Sequence, residues 1–102
     1  EEQGKFWEMH DKIFSEQAKQ GTGTITYGVT ELKKWASQIG LDSAKFNQCL
    51  DSGKYKSEVE KDLADGSSYG VSGTPTLFVN GNPVVGAQPF SVFKALIDNE
   101  LK

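Results

Sequence analysis

Tyr69-Gly70-Val71-Ser72-Gly73-Thr74-Pro75-Thr76-Leu77-Phe78-Val79-Asn80-Gly81-Asn82-Pro83-Val84-Val85-Gly86 is the stretch on which the reading of this chain turns. Thr76 to Val79 is short, apolar and rich in β-forming residues, as a strand should be. Asn80-Gly81 predicts a tight hairpin turn, because both residues tolerate positive φ. Val84-Val85 supplies the return strand. Pro83 can open that strand only where the ladder needs no N–H. Gly73-Thr74-Pro75 stands immediately before the first strand. On local sequence alone the Thr74–Pro75 bond reads as trans, since only about 5–6% of X-Pro bonds in folded proteins are cis.

Outward from the hairpin the pattern is helical. Phe6, Met9, His10, Ile13, Phe14 and Gln17 recur at helical spacing, so a first helix is expected from about Glu2 to Lys19. Two glycines, Gly21 and Gly23, break it, and Ile25 and Tyr27 pack down the loop that follows. A second helix is expected to start at Thr30, whose hydroxyl can cap, and to end at Gly40. Leu32, Trp35, Ala36 and Ile39 form its apolar face. A third runs from an Asp42 cap to Gly53, with Phe46, Cys49 and Leu50 facing inward. A fourth spans about Lys54 to Tyr69, where Gly66 costs about 1 kcal/mol relative to alanine and leaves room for a kink or an early end. After the hairpin, Pro89 suits the first turn of a last helix carrying Phe90, Phe93, Leu96, Ile97 and Leu101. Two strands alone make a marginal sheet. The hairpin therefore reads as part of a larger sheet whose other strands lie outside these residues.

Composition narrows the function. At 102 residues the chain is one domain at most. A net charge of −3, with lysines interleaved among acids, argues against a nucleic-acid surface. No apolar run approaches the ~20 residues of a membrane span, and no signal peptide heads the sequence. Cys49 is the single cysteine and His10 the single histidine. An internal disulfide and C-x-x-C chemistry within these residues are excluded, and neither a metal site nor a cofactor is expected. Cys49 reads as a small buried apolar residue rather than a reactive thiol, because nothing beside it is arranged to make a thiolate. His10, between Phe6 and Phe14, reads as a half-buried helix residue with a local hydrogen bond rather than an acid or base. Glu58, Glu60, Asp62 and Asp65 lack the turn glycine of a calcium loop and read as a solvated face.

Four stretches together resemble the C-terminal part of a DsbA-like thiol–disulfide oxidoreductase of the thioredoxin superfamily. They are Gly4-Lys5-Phe6-Trp7-Glu8-Met9-His10-Asp11, Leu32-Lys33-Lys34-Trp35-Ala36, Phe46-Asn47-Gln48-Cys49-Leu50-Asp51-Ser52-Gly53-Lys54-Tyr55 and Gly70-Val71-Ser72-Gly73-Thr74-Pro75-Thr76-Leu77-Phe78-Val79-Asn80-Gly81. The last is the most specific. The resemblance implies an α+β, partial thioredoxin-like fold. A helical insertion over residues 1–70 would precede a ββα part over residues 71–102, the whole forming one domain. It also implies that Thr74–Pro75 is the family's cis-proline pair, with Gly73, Thr74 and Pro75 as substrate-binding residues.

The family's N-terminal strand and C-x-x-C are absent, so no catalytic residue is assigned within these residues. The resemblance implies an extracytoplasmic, periplasmic or cell-envelope parent that exchanges disulfides with protein or peptide thiols. This chain would contribute its substrate loop and helical cap without turnover of its own. The alternative is a non-catalytic, thioredoxin-like peptide-binding module. Thr76 to Val79 would expose an uncharged strand edge in either case, which predicts self-association, most simply as a two-fold dimer.

Overall fold

The computed structural model describes residues 1–102. Its elements are α1 (Phe6–Lys19), α2 (Val29–Gln38), α3 (Ser43–Ser52), α4 (Lys56–Ser68), β1 (Thr76–Val79), β2 (Asn82–Val85) and α5 (Phe90–Glu100). This is an α+β chain of five helices and one two-stranded antiparallel sheet. It divides into two compact units, Glu1–Lys54 and Tyr55–Lys102.

In the first unit the helix boundaries follow local hydrogen bonding. The first helix starts at Phe6, four residues later than the periodicity indicates. Gly4 adopts φ +73° and its N–H donates to the Glu1 carbonyl at 2.8 Å, closing a turn that a continuing helix could not contain. The second helix is capped at Gly28 rather than Thr30. The Glu31 carboxylate reaches back to accept the Gly28 N–H at 2.8 Å, which is the acidic half of a capping box. Thr30 lies inside the first turn instead. Asp42 caps α3 as expected, its Oδ1 accepting from Lys45 N at 3.1 Å, and Gly53 ends that helix in the left-handed region at φ +63°.

Gln3 ties the N-terminal turn to the α2–α3 connection. Its Oε1 accepts the Asp42 N–H at 2.7 Å and its Nε2 donates to the Asp42 carbonyl at 3.2 Å, so one side-chain amide pairs with a backbone as a neighbouring strand would. Lys5 Nζ donates to the Ile39 carbonyl at 2.8 Å, a cation at the C-terminal end of α2 where the helix dipole favours it. Helix α2 packs against both α1 and α3. It holds the unit's buried residues, Trp35 and Ala36, with the Tyr27 ring tilted against Trp35 at 5.2 Å. Ile25 and Tyr27, read as packing down their loop, remain more than a third exposed.

In the second unit α4 runs through Gly66 to Ser68 without ending early. The Gly66 carbonyl accepts Val71 N–H at 2.9 Å, which folds the chain back beyond the helix. Tyr55, Val59 and Leu63, one stripe at i, i+4 and i+8, are all exposed. Strands β1 and β2 pair in the register Thr76↔Val85, Leu77↔Val84, Phe78↔Pro83 and Val79↔Asn82. The two-residue turn is Asn80, at φ +51°, and Gly81, at φ +85°, the positive-φ pair that a hairpin requires. Pro89 caps α5 rather than entering its first turn. Val84 is the unit's one buried apolar residue, and α5 packs on β1.

Candidate functional site

The loop from Val71 to Pro75 is pinned at both ends. At its start, Gly70 (φ +80°) donates to the Ser67 carbonyl at 3.0 Å, and Val71 donates to Gly66. At its end, Thr76 Oγ1 donates back to the Gly73 carbonyl at 2.6 Å. The Pro75 carbonyl accepts Gly86 N–H at 2.7 Å, which carries the ladder one pair beyond the strands. The Thr74–Pro75 peptide bond is cis. Gly73 is half-buried, whereas Thr74 and Pro75 are exposed. A Cβ on Gly73 would stand 3.4 Å from Val85 Cγ1, so the return strand lies directly against the loop. The sequence thus brings Gly73, Thr74 and Pro75 together at the open end of β1.

The singled-out side chains of Cys49 and His10 belong to the first unit, on α3 and α1. Cys49 on α3 is free and half-buried, less enclosed than its apolar neighbours in sequence led us to expect. His10 Nδ1 lies 3.0 Å from Asp11 Oδ1, the local hydrogen bond expected of it. Its ring packs on Phe14 at 4.7 Å and on Trp7 at 5.2 Å, and Trp7 meets Phe6 edge-on at 5.0 Å. This aromatic row on α1 is largely exposed: Phe6, Trp7 and Phe14 retain 49%, 67% and 59% of their surface. No group of three His, Cys, Asp or Glu side chains gathers to hold a metal ion. No helix is long and apolar enough to cross a membrane.

Two carboxylates have displaced proton affinity for local reasons. Lys12 and Lys19 donate to Glu16 Oε1 at 2.8 and 2.9 Å and hold its carboxyl below the usual range. The Gly28 N–H, with Glu31's own N–H, does the same for Glu31.

One residue escaped the sequence reading. Glu100, the last residue of α5, spans the hairpin turn: its Oε2 accepts from Asn80 Nδ2 at 2.7 Å and its Oε1 from Asn82 Nδ2 at 2.8 Å. Nothing local signals this, because the three side chains meet only after α5 has packed on β1.

Comparison with known proteins agrees with this architecture. A family model described as DSBA-like thioredoxin domain matches residues 1–98. Disulfide bond formation protein D of Bacillus subtilis (strain 168) is 30% identical over 103 residues, spanning 100% of this chain and 46% of that protein. Probable disulfide bond formation protein D of Bacillus anthracis is 30% identical over 102 residues, with the same coverage. Na(+)/H(+) antiporter NhaA 3 of Salinispora tropica (strain ATCC BAA-916 / DSM 44818 / JCM 13857 / NBRC 105044 / CNB-440) is 34% identical over 80 residues, 78% of this chain and 11% of that one. The chain thus spans about half the length of the disulfide bond formation proteins it matches. No solved structure matches it. With helices followed by a hairpin and a closing helix, and a family match over nearly its whole length, the chain belongs to the DSBA-like thioredoxin domain family.

Proposed function

We propose that this chain is the substrate-facing portion of a protein dithiol–disulfide oxidoreductase. The observation that carries the reading is the Gly73-Thr74-Pro75 loop, which leads into a strand with a ladder partner on one side only. An extended substrate segment would lie alongside Thr74 and β1 and pair with the backbone, as an added strand does. Residues 1–70 would act as the helical cap and residues 71–102 as the closing ββα part. Disulfide exchange proceeds by thiolate attack on a disulfide sulfur, forming a mixed disulfide and releasing the second sulfur as a thiolate. Cys49 is the only sulfur nucleophile in these residues and lies on α3, away from the loop in sequence, so the attacking cysteine pair comes from elsewhere in the parent. The parent works outside the cytoplasm, where protein disulfides persist.

Insulin reduction with dithiothreitol tests this directly. The 102-residue chain alone is expected to add nothing to the uncatalysed rate. Turnover by the chain alone would overturn the assignment.

A second reading is a non-catalytic peptide-binding module, supported by the strand edge of β1, which has a ladder partner on one side only. Insulin reduction by the full-length parent, beside titration with an extended peptide, separates the two. Peptide binding with no turnover by the full-length parent supports the module.

Left alone, the chain is expected to pair with itself along the uncharged β1 edge or through its exposed helix faces. Sedimentation at several concentrations reads this, and a concentration-independent monomer would refute it.

A further inference from the structure

We propose that Asn80-Gly81 is a modification site, a deamidation site whose rate is set by Glu100. The chain has four asparagines: Asn47, Asn80, Asn82 and Asn99. Asn80 is the one followed by glycine, whose nitrogen carries no neighbouring Cβ to hinder attack. Asn82 precedes Pro83, whose nitrogen has no proton to lose. Asn47 and Asn99 lie within helices, where each backbone N–H that follows is committed to regular structure.

The reaction needs only water. The Gly81 nitrogen attacks Asn80 Cγ, its proton passes to the departing Nδ2, and ammonia leaves as a five-membered imide closes. Water then opens either imide carbonyl, leaving aspartate or isoaspartate at position 80. The structure opposes the first step twice. The Val79↔Asn82 pair closes the turn across Asn80-Gly81, and Glu100 Oε2 holds at 2.7 Å the very nitrogen that must depart. Once the step has occurred it is self-reinforcing. A carboxylate replaces the amide donor and faces Glu100 across a hydrogen-bond distance, where like charges repel. The isoaspartate form adds a backbone carbon to a two-residue turn, which cannot then keep the register on which β1 depends.

Peptide mass spectrometry of the full protein, aged at mildly alkaline pH and sampled over days, tests this. In the wild type, Asn80 is expected to gain one mass unit faster than Asn47 or Asn99, and Asn82 to remain unchanged. In Glu100→Ala the Asn80 rate is expected to rise roughly fivefold, the effect of one charge-assisted hydrogen bond at a largely exposed site. Glu100→Gln, which keeps the shape and one acceptor, is expected to fall between. Both variants are read as the ratio of Asn80 to Asn47 under conditions where circular dichroism shows the wild-type helix content, because unfolding would release the two asparagines to different extents. An Asn80 rate no higher than that of Asn47 removes the site. A ratio unchanged in both Glu100 variants removes the role of Glu100.

Discussion

Gly86 N–H donates to the Pro75 carbonyl at 2.7 Å, and this bond fixes which backbone groups of β1 face away from β2. Hydrogen-bonded and non-bonded pairs alternate along an antiparallel ladder. Pro75 and Gly86 are bonded, so Leu77↔Val84 is bonded, while Thr76↔Val85 and Phe78↔Pro83 are not. The N–H and C=O groups of Thr76 and Phe78 therefore point to the open side, away from β2.

Phe78→Pro removes an outward N–H and leaves the β2 ladder whole. It is expected to abolish edge pairing in sedimentation and to weaken peptide binding, with the helical circular dichroism unchanged. A dimer that survives the substitution is held by helices instead.

Loss of the α3 cap is a matter of one oxygen. Asp42→Ala is expected to lower stability by about 1 kcal/mol in urea unfolding, and Asp42→Asn, which keeps the acceptor, by much less. Equal losses in both would assign the effect to the carboxylate's charge, since Gln3 pairs with the Asp42 backbone, which both variants keep.

Two glycines are expected to respond with opposite sign. Gly81 sits at φ +85°, so Gly81→Ala should destabilise by roughly 1–2 kcal/mol. Gly66 lies within α4, and a Cβ there would meet nothing nearer than Val71 Cβ at 3.9 Å. Gly66→Ala should therefore stabilise by about 0.5–1 kcal/mol. Thermal midpoints of the two variants decide the matter.

Glu31 makes the α2 cap pH-dependent. Its folded-state affinity for a proton is lowered by the Gly28 N–H. The unfolded chain then binds more protons than the folded one in the acidic range, and stability rises with pH there. The contribution is complete above the ordinary carboxylate value of roughly 4.3 and disappears as pH falls through the lowered folded value. The stability gap between wild type and Glu31→Gln is expected to narrow in acid. A gap independent of pH would credit hydrogen bonding alone.

Local backbone chemistry was legible in the sequence, and surface pairing was not. Asn80-Gly81, Asp42 and Gly53 each announce a structure that needs only a few neighbouring residues. The early end assigned to Glu2 failed because a helical face repeats through Gly4, whose positive φ periodicity cannot register. Thr30 lost the cap to Gly28 because Glu31 can serve a backbone N–H with no side chain at the cap. The Gln3–Asp42 and Glu100–Asn80 bonds join residues 39 and 20 positions apart, beyond any local pattern. The candidate loop rests on the family's motif alone, while the open flank of β1 became defined only through the ladder register.

Pro83 faces Phe78 at a non-bonded pair, so its ring nitrogen is directed to the outer flank of β2. That flank offers a pyrrolidine where a further strand would need a donor. Val85 still turns its N–H and C=O to that flank, so the two edges are unequal rather than open and closed: β2 offers one donor fewer, and β1 is the better place for a further strand to add. Were such hairpins to associate edge to edge, the missing donor at Pro83 would work against open-ended stacking beyond a pair.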